Sequence, residues 1–465
     1  MKRTKIVCTI GPSSSDKKTI EKLVNAGMNV ARLNMSHGTY PEHQKVINNI
    51  RQVAKETKKT VAILADLQGP RIRIGTLPAK GITIKTTGDV VLSTASKVKP
   101  GVIPVTYAQM HKDVKPGERI LIADGLMELK VIHVDGQNIH CRVVNGGIIT
   151  SNKGINLPDT DVKIASLSEK DKRDIKFGLK NKVDFFALSF VRHPEEVKKL
   201  QQMIKNSAMV IAKIEKPEAV LNIRKIIEAA DGIMVARGDL GIEMPQEDVP
   251  LIQKDIINLC LKKSKPVIVA TQMLESMIVN PRPTRAEVSD VANAVIDHTD
   301  AVMLSGETAS GKYPVDAVST MAKVIVKVEK SQFDNLDIRK EYRRMLKIDD
   351  AFCLTATNLA KQINAKLVLV ASLTGYTGRI VSRYRPELPI LVSTNTEKVK
   401  NQLNLSWGVV PFILPPCKSI EELIDRALDY IKKNNFVSKC DKIIIIAGQP
   451  VGQAGNVNWV KVHEI

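Results

Sequence analysis

The sequence is poor in aromatic residues, which make up 4% of its 465 positions. Proteins that bind single-stranded nucleic acid need aromatic side chains on which bases stack. The net charge of +20, from 69 Lys and Arg against 49 Asp and Glu, would suit a nucleic-acid surface, but the basic residues are spread along the whole chain. We therefore expect no nucleic-acid partner. The charge favours either a small polyanionic substrate or solubility alone.

Paired cysteines are also missing. The six cysteines are widely spaced and include no Cys-x-x-Cys pair: Cys8, Cys141, Cys260, Cys353, Cys417 and Cys440. Zinc sites and disulfide-rich secreted domains have a different spacing, so we expect neither.

Long apolar runs are absent. A run such as residues 443–447 is far shorter than the roughly 20 residues that cross a bilayer. The first eight residues lack the apolar stretch of a signal peptide and lead directly into a strand-like segment. We expect a cytoplasmic protein with no membrane partner.

Several catalytic signatures are absent from the sequence as well. It contains no Gly-x-x-x-x-Gly-Lys-Ser/Thr loop, no protein-kinase signature set, no Gly-x-Ser-x-Gly elbow and no His-Glu-x-x-His helix. The glycines at 238 and 241 do not form a dinucleotide fingerprint, and they favour the approach of a phosphate or carboxylate to backbone N–H groups at a helix start.

What the sequence does contain is a repeated unit, a short β-branched apolar run followed by a stretch of helical spacing. Eight such runs occur: 5–10, 29–34, 61–66, 185–190, 210–215, 232–236, 267–271 and 301–305. One of the helices is marked by a capping-box pattern at Thr284 and Glu287. Alternation of strand and helix implies parallel pairing, and eight units close a (β/α)₈ barrel.

Two regions depart from this unit. Residues 69–164 are strand-rich, with turn signals at 124–125, 135–136 and 145–147. They predict a small all-β domain, a β-barrel, inserted as a lid between the third and fourth strands. The predicted α/β fold thus has a catalytic (β/α)₈ barrel at 1–68 and 165–337, the lid, and a C-terminal α/β domain with an open parallel sheet at 338–465.

Polar residues follow the predicted barrel strands, at the carboxyl ends where the active site of such a barrel lies. They are Arg32, Asn34, Ser36 and His37 after strand two, Asp66 after three, Lys213 and Glu215 after five, Arg237 and Asp239 after six, Thr271 after seven and Glu307 after eight.

Lys213 and Glu215 alternate along their strand and so point to the same side. Glu215 and Asp239, from adjacent strands, supply two oxygen ligands of the kind that hold Mg²⁺. Lys213 beside them suits charge that develops on a transferred phosphoryl group. The alternative is a salt bridge that only closes the barrel rim. The residues alone indicate a Mg²⁺-assisted enzyme for a small anionic, phosphorylated substrate.

Long motifs resemble the pyruvate kinase family over nearly the full chain. They are Thr4-Lys-Ile-Val-Cys-Thr-Ile-Gly-Pro-Ser, Asn29-Val-Ala-Arg-Leu-Asn-Met-Ser-His-Gly, Ile214-Glu-Lys-Pro-Glu-Ala, Asp231-Gly-Ile-Met-Val-Ala-Arg-Gly-Asp-Leu-Gly-Ile-Glu, Ala270-Thr-Gln-Met-Leu-Glu-Ser-Met, Arg282-Pro-Thr-Arg-Ala-Glu-Val-Ser-Asp and Ser305-Gly-Glu-Thr-Ala. The resemblance implies transfer of the phosphoryl group of phosphoenolpyruvate to ADP, which gives pyruvate and ATP in the last step of glycolysis.

The resemblance also implies roles for the polar residues. Glu215 and Asp239 would hold Mg²⁺ (or Mn²⁺), Lys213 would stabilise the transition state, and Arg32 would pair with the phosphoryl group. Thr271 would lie near the site of enolate protonation. Substrate contacts would come from Arg32, Lys213, Gly238, Asp239 and Thr271, and nucleotide contacts from Asn34, His37, Arg73 and, on the lid, Lys153.

One departure from the family pattern concerns potassium. The family's monovalent-cation site matches Asn34, Ser36 and Asp66, but the Glu of potassium-dependent members is Arg71 here. A fixed cation can supply the charge that K⁺ brings. We therefore predict that K⁺ is dispensable.

A hydroxyl-rich loop in the C-terminal region resembles the family's effector site, with candidate residues Ser372, Thr374, Gly375 and Thr377. A sugar phosphate or a nucleoside monophosphate would suit it. Alternatively, these residues only turn the chain and cap the next helix.

The resemblance further implies a homotetramer, and because the chain ends at Ile465 we expect no additional C-terminal domain. Two alternatives remain open. One is another Mg²⁺-dependent barrel enzyme acting on phosphoenolpyruvate or pyruvate, such as an aldolase or mutase. The other is a catalytically silent regulatory homologue, although the polar rim argues against silence.

Overall fold

The computed structural model describes residues 2–336, 347–450, 452–453 and 455–465. No helix within these ranges is both long and apolar enough to cross a bilayer. The predicted boundary between barrel and C-terminal domain, at 337/338, lies outside the described residues. The proposed domain limits therefore stay a prediction.

The first elements alternate strand and helix as predicted. They are β1 (Lys5–Ile10), α1 (Lys17–Ala26), β2 (Val30–Asn34), α2 (Tyr40–Thr57) and β3 (Ala62–Asp66). α1 begins where the side chain of Asp16 accepts a hydrogen bond from the Thr19 backbone, and it buries Ile20, Leu23 and Val24. These apolar residues recur at the spacing of one helix face, which packs the helix on the strands.

The inserted region is rich in strands. It contains β4 (Ile82–Ile84), β5 (Asp89–Ser93), β6 (Ile103–Pro104), the short helix α3 (Met110–Asp113), β7 (Arg119–Ile122), β8 (Met127–Asp135), β9 (Asn138–Asn145), β10 (Gly147–Ile149) and β11 (Ile155–Asn156). The strands form a six-stranded sheet, β11-β7-β8-β9-β5-β6, and a separate pair, β10-β4. The two edges of the six-stranded sheet are bridged by residues 73 and 74, which pair with Gly154 next to β11 and with Val105 next to β6, around one apolar core. The description of this insert as a β-barrel lid stays a prediction.

The strand–helix alternation resumes after the insertion. Its elements are α4 (Glu169–Lys180), β12 (Phe185–Leu188), α5 (Pro194–Ile204), β13 (Met209–Ile214), α6 (Pro217–Leu221), α7 (Ile223–Ala229), β14 (Gly232–Ala236), α8 (Arg237–Glu243), α9 (Val249–Lys262), β15 (Val267–Ala270), α10 (Arg285–Ile296), β16 (Ala301–Leu304), α11 (Gly306–Ala309) and α12 (Pro314–Val328). The predicted capping box starts α10: the Glu287 backbone donates to Thr284 Oγ1 at 3.2 Å, and the Thr284 backbone donates to Glu287 Oε2 at 2.7 Å.

Eight parallel strands close into a barrel in the order β1-β16-β15-β14-β13-β12-β3-β2. This confirms the predicted (β/α)₈ architecture. The inward side chains form one apolar cluster, and the outward ones pack against the helices in another. A barrel filled in this way is a packed core and not a pore, so chemistry is confined to its ends.

The C-terminal domain is an open α/β sheet, as predicted. It comprises α13 (Ile348–Gln362), β17 (Leu367–Ala371), α14 (Tyr376–Arg383), β18 (Ile390–Thr394), α15 (Glu397–Leu403), β19 (Val409–Ile413), α16 (Ile420–Lys433), β20 (Lys442–Ala447) and β21 (Trp459–Glu464). The order is β19-β18-β17-β20-β21, and only the edge strand β21 is antiparallel to its neighbour.

The segment between α15 and β19 covers the amino-terminal end of the barrel. Leu405 is fully buried and belongs to the apolar cluster inside the barrel. Beside it, the Asn404 amide donates to the backbone carbonyls of Asn29 and Thr60, at 2.8 and 2.7 Å. The Trp407 backbone donates to Oδ1 of Asp300 at 3.0 Å. These contacts close the end of the barrel opposite the predicted active site.

Candidate active site

Lys213 lies at the carboxyl end of β13 and is 8% exposed. Its Nζ atom donates to Ser189 Oγ at 2.8 Å and lies 2.9 Å from Glu215 Oε1 and 3.4 Å from Asp66 Oδ1. Burial by itself would lower the pKa of Lys213, but the carboxylates of Asp66 and Glu215 outweigh it and raise that pKa. The site therefore holds a charged ammonium group.

Glu215 is almost completely buried beside this ammonium group, and its Oε2 atom accepts a hydrogen bond from the Phe190 backbone at 2.7 Å. Burial raises the pKa of Glu215, Lys213 opposes this effect, and the nearby charge of Asp239 adds to it. Oε1 of Glu215 accepts no hydrogen bond of good geometry from any described residue. This oxygen does lie 2.9 Å from the Lys213 ammonium group, and a metal cation would relieve the repulsion between the Glu215 and Asp239 carboxylates.

The donor set fits a hard divalent cation. Asp239 lies in the first turn of α8, which follows β14, the neighbour of the strand that carries Lys213. In the described part of the chain, no three His, Cys, Asp or Glu side chains converge as a metal cage. Mg²⁺ is often held by one or two carboxylates together with substrate oxygens and waters, so Glu215 and Asp239 suffice for that mode.

Arg32, at the end of β2, is held by two neighbours. Its Nε and Nη2 atoms lie 2.7 and 2.6 Å from Oδ2 of Asp66, and Nη1 donates to Thr9 Oγ1 at 2.8 Å. Burial would raise the pKa of Asp66, but Lys213 and Arg32 prevail and lower it. An ionised Asp66 thus orients two cations toward the barrel mouth.

Thr271 adopts an unusual backbone conformation, with φ at 71°. Left-handed backbone in a β-branched residue is strained and persists only when the surroundings hold it. Its Oγ1 atom accepts from the Gly238 backbone at 2.7 Å, and its carbonyl accepts from Arg237 Nη2 at 2.8 Å. A Cβ atom at Gly238 would lie 3.3 Å from that hydroxyl, so glycine permits the close approach.

The predicted nucleotide residues fall into two groups. Asn34 is the last residue of β2, and its Oδ1 atom accepts from the Ser36 backbone at 3.1 Å; His37 lies in the turn that follows and is exposed. Arg73 and the exposed Lys153 lie together on the insert, where Arg73 Nη1 donates to the Asn152 carbonyl at 2.7 Å. Within the described ranges, no recorded hydrogen bond or ion pair joins the two groups.

The predicted monovalent-cation residues are not assembled as a cage. Asp66 is paired with Arg32 and Lys213, and Asn34 is bonded to the Ser36 backbone. Arg71 is exposed and has no recorded ion pair to any residue in the described part of the chain.

The sequence did not predict the residues whose hydrogen bonds position Lys213, Glu215 and Arg32. Ser189 follows β12 and bridges Lys213 to the Leu67 carbonyl, to which its Oγ donates at 2.7 Å. The Phe190 backbone, with φ at 54°, supports Glu215, and Thr9 in β1 supports Arg32. The signal that these residues carry in the sequence is their place at the carboxyl ends of strands one and four.

The hydroxyl-rich loop lies at the carboxyl end of the C-terminal sheet. Ser372, Thr374 and Thr377 line a cavity of about 170 Å³. Gly375 takes a left-handed conformation (φ 75°) before α14, and no side chain caps that helix. The Thr374 hydroxyl lies 3.4 Å from the Tyr376 backbone nitrogen, which is a long contact. This geometry disfavours the interpretation that the loop serves only as a cap.

Two family models match the chain. The first, described as pyruvate kinase, barrel domain, matches residues 1–318, and the second, described as pyruvate kinase, alpha/beta domain, matches residues 350–463. Together they span most of the sequence and correspond to the barrel and the C-terminal sheet.

Similarity to known proteins extends over the whole chain. It is 45% identical over 473 residues to a pyruvate kinase of Geobacillus stearothermophilus and 44% identical over 472 residues to one of Staphylococcus aureus strain USA300. Each match covers 100% of this chain and 80% of the relative. A crystal structure of a pyruvate kinase from Cryptosporidium parvum matches with a TM-score of 0.93 at 37% identity, covering 100% of this chain and 96% of that one. The chain belongs to the pyruvate kinase family.

Proposed function

We propose that the chain transfers the phosphoryl group of phosphoenolpyruvate to ADP and so forms pyruvate and ATP in the last step of glycolysis. The observation that carries this proposal is the buried Lys213 ammonium group, flanked by Glu215 and Asp66 at the carboxyl end of the barrel. A phosphoryl-transfer site needs fixed positive charge and hard-cation ligands in one place, and this rim supplies both.

The charged residues act on the transferred group. Arg32 presents its guanidinium, already oriented by Asp66, to the phosphoryl oxygens. Lys213 stabilises the negative charge that spreads over the phosphoryl oxygens and the departing enolate oxygen as the phosphorus–oxygen bond of phosphoenolpyruvate breaks. A terminal oxygen of ADP forms the new bond to phosphorus. Fixed side chains make this stabilisation efficient because they need little reorganisation.

Magnesium, or manganese in its place, would be held by Glu215 and Asp239 and would supply positive charge that offsets the negative charge of the bound substrate. The backbone of Gly238 and the Thr271 hydroxyl, 2.7 Å apart, form the wall where the three-carbon part of the substrate binds. Thr271 lies where the enolate carbon takes up its proton to give pyruvate, directly or from an ordered water.

The nucleotide binds between the barrel and the lid. We assign Asn34 and His37 on the barrel, and Arg73 and Lys153 on the lid, to its phosphates. Closure of the lid over them excludes water, which would otherwise accept the phosphoryl group. Arg71 contributes the charge that a monovalent cation would bring near Asn34, Ser36 and Asp66, so K⁺ is dispensable.

Three wider properties belong to the same proposal. The chain works as a homotetramer, as is common in the family. It works in the cytoplasm, in keeping with six cysteines that are all unpaired in the described residues. A small phosphorylated effector binds the loop of Ser372, Thr374, Gly375 and Thr377.

The deciding experiment is an assay of purified protein with phosphoenolpyruvate, ADP and Mg²⁺ that measures pyruvate directly. We expect pyruvate formation that requires all three components, with one ATP formed per pyruvate. Consumption of phosphoenolpyruvate that needs no ADP and forms no ATP would favour an aldolase- or mutase-like barrel enzyme. No turnover from folded protein would favour a silent homologue.

A further inference from the structure

Glu243, the last residue of α8, joins the lid to the barrel. Its carboxylate is 1% exposed, and the Oε1 atom accepts from the Asn156 amide of the lid at 2.7 Å and from Lys216 Nζ at 2.6 Å. The other oxygen, Oε2, is buried and accepts no hydrogen bond from a described residue. Burying a carboxylate is costly unless it is paired, so both donors matter to it.

Each member of this Glu243 cluster (Glu243, Asn156 and Lys216) lies close in sequence to a proposed site residue. Lys216 directly follows Glu215, and Glu243 lies one helical turn beyond Asp239 in α8. Asn156 follows Lys153 by three residues in the lid. One carboxylate oxygen therefore connects the segments that carry both proposed metal ligands and the proposed lid lysine.

We propose that Glu243 is a positioning residue for phosphoryl transfer, which sets the Lys153 segment of the lid relative to the Glu215 and Asp239 carboxylates. This inference rests on the proposed roles of those three residues. Glu243 itself touches no reacting group. It acts by fixing the distance between the nucleotide-binding lid and the metal-binding rim, where small displacements have large effects on rate.

The two contacts are expected to affect different kinetic constants. The Asn156 bond links only the lid, so its loss should weaken ADP binding and leave phosphoenolpyruvate binding unchanged. The Lys216 bond lies within the barrel beside Glu215, so its loss should raise the Mg²⁺ concentration that gives half-maximal activity. A purely structural ion pair would instead lower thermal stability and leave the ratio of the two KM values unchanged.

The test compares Asn156→Ala with Asn156→Gln, which keeps the amide donor, in the full-length enzyme. We expect Asn156→Ala to raise KM for ADP about tenfold, the usual effect of losing a hydrogen bond to a charged group. KM for phosphoenolpyruvate should stay within about twofold of the starting enzyme. Asn156→Gln should restore at least half of this effect on a logarithmic scale, so that its KM for ADP lies no more than about threefold above that of the starting enzyme.

The matched control is Asp89→Ala, which removes an exposed ion pair with Arg142 that lies wholly within the lid. It should leave both KM values unchanged. Lys216→Met supplies the second measurement. It should raise the half-maximal Mg²⁺ concentration but, unlike Asn156→Ala, should leave KM for ADP unchanged. Unchanged KM for ADP in Asn156→Ala, or an equal rise of both KM values, overturns the positioning role. If the starting enzyme forms no pyruvate, the proposed function fails instead.

Discussion

Nζ of Lys213 lies 3.4 Å from Oδ1 of Asp66, although the two residues come from strands that are not neighbours. β12 lies between β13 and β3, and Ser189, which follows β12, accepts a hydrogen bond from the same ammonium group. Three consecutive strands therefore fix one positive charge at the mouth of the barrel. A charge held in this way does not need to be repositioned during the reaction.

Replacing Lys213 by methionine tests this charge directly. We expect Lys213→Met to lower kcat on the order of 10³-fold, as for loss of a preorganised electrostatic donor. Steady-state kinetics measure the loss, and circular dichroism checks that the variant is folded. The control is Lys263→Met, since Lys263 forms only a half-exposed pair with Glu228. Unchanged kcat in the folded Lys213 variant would contradict the assignment.

The proposed metal ligands predict a change in metal requirement. Glu215→Gln keeps the shape of the side chain but weakens its ligand charge, so the half-maximal Mg²⁺ concentration should rise by about tenfold or more. Activity measured against Mg²⁺ concentration gives this value. Glu218→Gln, three residues further along the chain in α6, should not change this concentration. An identical Mg²⁺ curve for Glu215→Gln would exclude Glu215 as a ligand.

Arg71 predicts the response to potassium. Activity in a tetramethylammonium buffer should stay within about twofold of activity in K⁺, because a fixed guanidinium replaces the ion. Arg71→Glu should make the enzyme dependent on K⁺. Lys80→Glu, an exposed charge reversal elsewhere on the insert, serves as the control. Strong stimulation of the starting enzyme by K⁺ would refute the idea that Arg71 takes the place of the ion.

Asp334 predicts a pH dependence of stability. It is 3% exposed, and burial together with Glu329 raises its pKa to about 6 in spite of Arg3 and Arg385. An unfolded aspartate has a pKa of about 3.9, so the folded state binds an extra proton between pH 4 and 6. This contribution to stability is present in full below about pH 4 and is lost as the pH rises through about 6.

The comparison of Asp334→Asn with the starting protein isolates this effect. The free energy of unfolding of the variant relative to the starting protein should increase as the pH rises from 4.5 to 7.5. Denaturant unfolding at several pH values measures it. The control is Asp255→Asn, at an exposed position. Its free energy of unfolding should differ from that of the starting protein by the same amount at every pH. A constant difference for Asp334→Asn as well would show that this carboxyl does not titrate in the window.

The loop at the C-terminal cavity predicts an effector response. Adding a hexose phosphate or AMP should shift the phosphoenolpyruvate saturation curve, and Ser372→Ala combined with Thr374→Ala should remove the shift. Ser438→Ala, at an exposed position ahead of β20 and so at the opposite, amino-terminal end of the sheet, is the control. If neither ligand nor any other small phosphate shifts the curve, the loop serves only to turn the chain.

Much of the fold and the main site could be predicted from the sequence, because β-branched runs mark the strands and the carboxyl ends of parallel strands meet. Lys213 and Glu215 were found in this way, and the structure places their charged atoms 2.9 Å apart. Ser189 and Thr9 were not found, since small hydroxyl residues at strand ends are common and their importance depends on distances that a sequence does not contain. The contact of Leu405 with the barrel interior is equally non-local.

Leu405 has a consequence for how the protein is made. The family model for the barrel ends at residue 318, so nearly all of the barrel leaves the ribosome before Leu405 is synthesised. Until then the amino-terminal end of the barrel lacks one of its interior side chains, and apolar surface there stays open to water. Nascent chains from which residue 405 has not yet emerged should therefore expose this end of the barrel to chaperones, which can cover it until the segment arrives.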